Sequence, residues 1–296
     1  MSSGPFGRLA AAMITPFGDD GALDLPGARR LAAHLVDRGG CDALVVNGTT
    51  GESVTTSDAE KLALLRAVLA EVGDRATVTA GVGSADTRHT VELARASEEA
   101  GAHGLLVVTP YYSRPTQEMV AHHLATVADA TALPVLLYDI PERTGAGTAL
   151  TPETLRRLAE HPKVAGVKDC SHDLLGAGRT IAETGLALYA GADEEILPLR
   201  AIGAAGAVST VAHVAGPLVR EMLDAFDAGD VGTARERHQA LLPLLDAMRA
   251  VPGTVAVKAL YGAAGLPGGP VRGPLLPAGA DVVERLVTAL RRTMGG

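Results

Sequence analysis

The stretch PVLLYDIPERTGAGTALTPETLRRLAEHPKVAGVKD, residues 134–169, decides the fold. Its first run, Val135 to Tyr138, does not alternate apolar with polar side chains, as expected of a parallel strand buried on both faces. Thr151-Pro152 then opens a helix, with proline at the first helical position, where its missing N–H loses nothing. A second apolar run ends in Lys168, so the stretch reads as strand, helix, parallel strand. Working outward, the same alternation recurs. Apolar runs begin near Leu9, Ala43, Thr77, Gly104, Val135, Val164, Leu186 and Ala207, each followed by helical periodicity. Ser57 to Val72 is one such helix: Ser57 and Glu60 have capping-box spacing, Leu62, Leu65, Leu69 and Val72 share a face, and Gly73 ends it.

Eight βα units fit a (β/α)8 TIM barrel, an α/β fold, better than a doubly wound sheet. The latter needs a glycine-rich fingerprint after its first strand, where Thr15-Pro16-Phe17 stands instead, and Gly81-Val82-Gly83 is half such a motif and reads as a turn. At about 150 residues per domain the chain is long enough for two domains, although α/β barrels run to about 250 residues as one. The expected division is a barrel over residues 1–213 and a C-terminal helical extension over 214–296. The extension carries amphipathic stretches at Leu218 to Ala228, Ala234 to Ala250 and Asp281 to Arg292, with a Gly/Pro-rich connecting loop from Gly262 to Gly279.

Composition excludes several classes. With 47% apolar and 20% charged residues, the 296-residue chain has the material for a large core and is not a disordered sequence. Its formal charge is −8 and its arginines cluster no further than Arg29-Arg30 and Arg156-Arg157, so a nucleic-acid footprint is missing. Cys41 and Cys170 lie far apart and read as free thiols of a reducing compartment. Met1 to Leu9 has no apolar signal core and no window approaches the apolar length of a membrane span, so a soluble, cytoplasmic protein is expected.

Barrel enzymes react at the carboxyl ends of their strands. There this sequence places GTTGE (Gly48 to Glu52), TPYYSRP (Thr109 to Pro115), Tyr138, Lys168 and Gly191. The chain has four lysines. Lys61 lies on the second helix, Lys163 precedes strand six at the opposite end, and Lys258 belongs to the extension; Lys168 alone closes an apolar strand at the reactive end. An amine there is partly desolvated, which suits a nucleophile that attacks a carbonyl, and Schiff-base chemistry follows. A strand-end lysine paired with Asp169 or another carboxylate is the competing role. Tyr138 ends the neighbouring strand, within reach to move protons for an iminium; wall packing is its alternative. Three of the five tyrosines, Tyr111, Tyr112 and Tyr138, stand on this rim. The small residues and paired hydroxyls of GTTGE suit an anion or a proton relay. Arg143, in PERTG, has the fork for a second carboxylate, unless it pairs with Glu142.

GTTGE, the TPYYxRP loop, YxxPxRTG (Tyr138 to Gly145), GVK (Gly166 to Lys168) and GxDE (Gly191 to Glu194) resemble the dihydrodipicolinate synthase family of class I pyruvate aldolases, with an actinobacterial look to GVKD and YDIP. The motifs run in order from Thr15 to about Val214, and the tail resembles the family's helical extension. The resemblance implies a lyase that condenses pyruvate with L-aspartate 4-semialdehyde to 4-hydroxy-tetrahydrodipicolinate, in lysine and diaminopimelate biosynthesis. By the same resemblance Lys168 is the Schiff-base lysine; Tyr138, Thr49 and Tyr112 form a proton relay, with Tyr112 from a neighbouring subunit of a homo-oligomer, dimer or tetramer. Thr50 binds the pyruvate carboxylate, Arg143 that of the aldehyde, and Gly191 and Val208 line the pocket. No cofactor or metal is implied.

Two features depart from the family pattern. Glu142 stands where synthases usually carry a small residue, which leaves open a paralogous aldolase acting on another aldehyde or a 2-keto-3-deoxy sugar acid. Lysine-inhibited relatives carry histidine, asparagine and glutamate around an allosteric cleft, where the matching positions here are Asp58, Lys61, Ala85 and His89. Two further readings compete. A metal-dependent aldolase needs a ligand cluster, whereas the nine histidines are dispersed. A barrel used only for binding has no need of the rim lysine and tyrosines.

Overall fold

The computed structural model describes residues 4–295. Eight parallel strands close into a barrel in sequence order: β1 (Leu9–Ala12), β2 (Ala43–Val46), β3 (Thr77–Gly81), β4 (Gly104–Val108), β5 (Val135–Asp139), β6 (Val164–Asp169), β7 (Ala187–Ala190) and β8 (Gly206–Ser209). Six strands begin at the residue expected from the apolar runs, and β7 and β8 are displaced by one. Around them lie α1 (Leu25–Asp37), α2 (Asp58–Val72), α3 (Thr87–Glu99), α4 (Gln117–Asp129), α5 (Pro141–Thr144), α6 (Pro152–Ala159), α7 (Leu174–Thr184), α8 (Ile196–Ala201) and α9 (Ala212–Asp227). After these come α10 (Val231–Met248), α11 (Gly253–Ala263) and α12 (Ala280–Thr293). The capping box of α2 is formed: the Ser57 hydroxyl accepts from the Glu60 N–H, and the Glu60 carboxylate accepts from the Ser57 N–H at 2.8 Å.

Alternation along each strand separates two packed regions. Ala10, Val45, Leu106, Leu136, Tyr189 and Val208 fill the barrel, while Leu9, Leu44, Leu105, Leu137 and Val167 face the helices. Fully burying each leucine contributes about 1.5–3 kcal/mol. Phe6 plugs the amino end of the barrel against Tyr189, edge to face at 5.8 Å between centroids, and its N–H donates to the Tyr189 hydroxyl at 3.1 Å. A polar network surrounds that end. Asp42 accepts from the Arg8 and Leu9 N–H groups at 2.9 Å each, and Arg200 donates to Asp227 at 2.8 Å. Between β5 and β6 the register shifts: Val135 pairs with Val164, but Leu136 pairs with Gly166 and Tyr138 with Lys168.

The first turn of α9 begins at Ala212, so the division at 213/214 falls inside the helix that follows β8. Gly216, Pro217 and the non-helical Ala215 interrupt its periodicity, which is why only its later part, from Leu218, reads as amphipathic. Residues 1–3 and 296 of the expected divisions lie outside the described residues. The helix α11 has no counterpart among the expected elements. Thr254, Val255, Ala256, Val257, Lys258, Leu260 and Tyr261 are all buried, so no polar face marks a helical period. Among the described residues no single helix is long and apolar enough to cross a membrane.

The helix α11 reaches α9 through the Tyr261 hydroxyl, which donates to the His213 carbonyl at 3.0 Å. The His213 ring lies between Ile14 N–H, 3.1 Å from Nε2, and the Thr210 carbonyl, 2.8 Å from Nδ1. Nε2 must therefore accept and Nδ1 donate, which fixes the neutral tautomer. Burial pushes the imidazole from 6.5 down to about 4. Because the folded value is depressed, this contribution to stability is complete above pH 6.5 and declines as pH falls toward 4. His213→Gln is expected to lower stability at pH 7 by about 1–3 kcal/mol and to flatten the loss on acidification. Thermal unfolding at pH 7 and pH 4.5 checks this; equal acid losses in both proteins place the sensitivity elsewhere.

Candidate active site

The shifted register brings Tyr138 and Lys168 side by side at the carboxyl end of the barrel, both side chains inward. Lys168 is 6% exposed, and its Nζ stands 4.2 Å from the centroid of the Tyr138 ring. Among the described residues no carboxylate lies within 4.0 Å of Nζ. Asp169, one residue on, faces the opposite way and accepts the Ser171 N–H at 2.7 Å. The pairing that would make Lys168 a structural ion is thus not formed. Burial pushes the Tyr138 phenol up, while the nearby Lys168, Thr49 and Arg143 side chains pull it back. These four side chains share one electrostatic environment.

Cys170 follows Lys168 by two residues and so faces the same interior. Burial pushes its thiol up to about 11, which leaves it protonated and unreactive near neutrality. Gly191, at the end of β7, lies against it: a Cβ there would overlap Cys170 Sγ and stand 3.1 Å from Lys168 Cε. Val208, 1% exposed, closes the interior from β8.

GTTGE forms a tight turn flanked by Asn47 and Glu52, both at φ 58°. Gly51 N–H and Glu52 N–H donate to the carbonyls of Gly48 and Thr49, each at 3.1 Å. Thr15 Oγ1 donates to the Gly51 carbonyl at 2.6 Å, and Thr50 Oγ1 is 3.4 Å from Thr210 Oγ1. Thr49 lines two spaces. One is a small pocket of about 20 Å³ reaching Tyr138 and Leu106; the other is a cavity of about 550 Å³ lined by Lys61, His89, Tyr111 and Arg143.

Arg143 lies on α5, exposed, and its neighbour Glu142 turns away from it. The Glu142 carboxylate is 3.8 Å from His172 Nε2, and His172 Nδ1 is 3.0 Å from Glu195. The hydrogen bond to Glu195 raises the His172 value, and the Glu142 charge adds to that shift. The expected alternative, an Arg143–Glu142 pair, is not formed. The segment after α5 is tied back by Leu150 N–H, which donates to Asp139 Oδ2 at 3.2 Å. Asp58, Lys61 and His89 form a charged cluster on the wall of the large cavity, with His89 Nε2 2.7 Å and Lys61 Nζ 3.5 Å from the Asp58 carboxylate. Ala85 lies in a separate cavity beside Met119 and His123. Tyr112 is not brought to the site within one chain: it is 94% exposed at φ 71°, while Tyr111 lines the cavity. Among the described residues there is no group of three or more His, Cys, Asp or Glu placed to hold a metal ion.

Three contributors escaped the sequence reading. Cys170 was legible from the period of two along β6. Glu52 was quoted only as the end of a motif, and Lys258 was set aside as part of the extension, although its Nζ is 2.6 Å from the buried Glu52 carboxylate.

The close approach at Gly191 gives a direct test. Gly191→Ala is expected to displace Lys168 and Cys170 and to abolish most activity, and adding Cys170→Ala should return part of it, because the Asp169 carbonyl, 2.9 Å from the new Cβ, still crowds the site. Turnover of the single and double variants decides; a fully active Gly191→Ala would show that this wall yields.

A family model described as the dihydrodipicolinate synthetase family matches residues 5–293. The 4-hydroxy-tetrahydrodipicolinate synthase 1 of Streptomyces coelicolor is 60% identical over 289 residues, covering 97% of this chain and 94% of that protein. The 4-hydroxy-tetrahydrodipicolinate synthase of Acidothermus cellulolyticus is 56% identical, covering 95% of this chain and 91% of its own length. Among solved structures, a dihydrodipicolinate synthase of Bacillus anthracis superposes with a TM-score of 0.93 at 37% identity, covering 97% and 98% of the two chains. The Cyanidioschyzon merolae protein, solved with lysine bound, superposes with 0.95 at 36% identity, covering 98% and 99%. On the match across nearly its whole length, this chain belongs to the dihydrodipicolinate synthetase family.

Proposed function

We propose that this lyase condenses pyruvate with L-aspartate 4-semialdehyde through a Schiff base on Lys168, giving 4-hydroxy-tetrahydrodipicolinate. The observation that carries the reading is Lys168 itself, buried at the barrel mouth, without a carboxylate partner among the described residues and 4.2 Å from the Tyr138 ring. Nζ adds to the keto carbon and water leaves, forming the iminium. Loss of a methyl proton gives the enamine, whose carbon attacks the aldehyde. The amine of the semialdehyde then displaces Lys168 from the former keto carbon, which closes the ring and frees the enzyme; one water is lost overall.

Tyr138 moves the protons in these steps, and Thr49 shares its small pocket. Thr50 receives the pyruvate carboxylate and Arg143 that of the semialdehyde, while Gly191 and Val208 bound the pocket. Tyr112, turned outward in a left-handed backbone, completes the relay of a second copy, so the working enzyme is a homo-oligomer. A cytoplasmic location goes with this role. A second reading, an aldolase with another acceptor, rests on Glu142 and its engagement with His172.

Borohydride with pyruvate is expected to leave a reduced adduct on Lys168, located by peptide mass; an adduct on another lysine overturns the mechanism. Tyr138→Phe should keep this trapping yet lose about 10²–10⁴-fold in turnover, and an equally fast variant would reduce Tyr138 to packing. Arg143→Lys should raise KM for the semialdehyde at least tenfold more than KM for pyruvate, since lysine has no bidentate fork. In an aldehyde panel, faster turnover of neutral or sugar-derived aldehydes than of the semialdehyde would transfer the assignment to the second reading.

A further inference from the structure

The carboxylate of Glu52 is deeply buried at the end of the turn that carries Thr49 and Thr50, with its side chain 2% exposed. Its backbone is left-handed at φ 58°, a conformation that a non-glycine residue keeps only where its surroundings over-determine it. Those surroundings come from the far end of the sequence. Lys258 Nζ, itself on a 3% exposed side chain, is 2.6 Å from Glu52 Oε1. The same ammonium donates to the Pro270 carbonyl at 2.7 Å and stands 4.3 Å from the Phe17 ring centroid. Glu52 Oε2 accepts the Arg272 N–H at 2.8 Å. One turn before Lys258 on α11, the Thr254 hydroxyl donates to the Thr50 carbonyl at 3.0 Å. The helix therefore grips the turn at two residues, 50 and 52, on either side of Gly51.

We propose that Lys258 and Thr254 are positioning residues for pyruvate binding: α11 sets where the Thr49-Thr50 turn stands relative to Lys168. This rests on the Schiff-base reading above. A buried ion pair is a poor source of net stability, because desolvating both ions offsets most of their attraction. Its strength is directional. Glu52 must stay where Lys258 and the Arg272 N–H can both reach it, since an unpaired buried carboxylate is expensive. The turn is thereby denied the small shifts open to a solvated loop, and Thr50, whose hydroxyl has only a long 3.4 Å contact with Thr210 Oγ1, is held through its carbonyl. The C-terminal helices thus contribute to the reaction without touching either substrate.

The test uses the full-length chain and pyruvate as the only ligand. The concentration of pyruvate giving half-maximal borohydride trapping on Lys168 is measured by intact mass for wild type, Thr254→Val, Thr254→Ser and Lys258→Met, beside steady-state kinetics and thermal unfolding. Thr254→Val is expected to raise the half-trapping concentration 3- to 10-fold and Lys258→Met at least 10-fold. Thr254→Ser, which keeps the hydroxyl, should return to within 2-fold of wild type. KM for the semialdehyde should move less than 3-fold in all of them. Variants that lose thermal stability but trap at the wild-type concentration would make α11 a merely structural support and overturn the proposal. If Lys258→Met fails to fold, the contrast between Thr254→Val and Thr254→Ser decides alone. Wild-type protein that traps nothing on Lys168 removes the Schiff-base reading and this inference together, whereas normal wild-type trapping with unaffected variants removes this inference only.

Discussion

Val135 pairs with Val164 and Leu136 with Gly166, so Ala165 has no counterpart on β5. Extending the first pairing without that extra residue would set Tyr138 opposite Val167 and turn Lys168 outward, into the helix layer, because a slip of one residue exchanges the faces of a strand. The bulge is what puts an amine inside the barrel. It also needs Gly166, whose missing Cβ leaves room for the Ala187 carbonyl and for Leu136 Cδ1 at 3.2 Å. Lys168, Cys170 and the contact with Gly191 all inherit their places from this one irregularity, as does the register of β6 with β7 at Lys168 and Tyr189.

The strands were legible because parallel strands covered on both faces appear as unbroken apolar runs, and Val135 to Tyr138 and Val164 to Lys168 are such runs. The bulge was not: an inserted alanine between apolar neighbours leaves no trace in hydropathy. Nor was α11, whose buried residues from Thr254 to Val257 present no polar face from which a period could be read. Tyr189 and Tyr261 are core residues whose hydroxyls find a backbone N–H and a backbone carbonyl inside the protein, so burial alone does not set them apart from Tyr138. Lys258 was passed over because position along the chain stood in for position in space, and the extension folds back onto the second strand's loop.

That return brings the helical tail against the loops at the barrel's carboxyl end. Phe17, after β1, is held between two cations from the tail, Lys258 at 4.3 Å and the Arg272 guanidinium at 4.1 Å. Arg272 in turn donates to the Thr55 carbonyl at 2.8 Å and to Glu60 in the capping box of α2, whose carboxyl it holds down to about 2. The first two βα loops are therefore clamped from outside by one segment of chain. Below, at the amino end, Arg8, Asp42 and Arg220 bind the same barrel with partly buried charges, away from the site.

The two halves of the site differ in stiffness for reasons visible in their surroundings. The half proposed to take pyruvate comprises Lys168, Tyr138 and a turn whose carbonyls at Thr50 and Gly51 and carboxylate at Glu52 each have a partner within 3.0 Å. The half proposed to take the acceptor rests on Arg143, exposed on a four-residue helix and facing a cavity of about 550 Å³. Its neighbour Glu142 is engaged by His172 across a 3.8 Å gap instead of by the arginine. Changing the acceptor therefore disturbs few buried contacts, whereas changing the keto acid would require rebuilding a turn that is fixed from two sides. On the proposed assignment, a barrel built this way keeps one substrate and its covalent chemistry constant while the residues around Arg143 are free to choose the other.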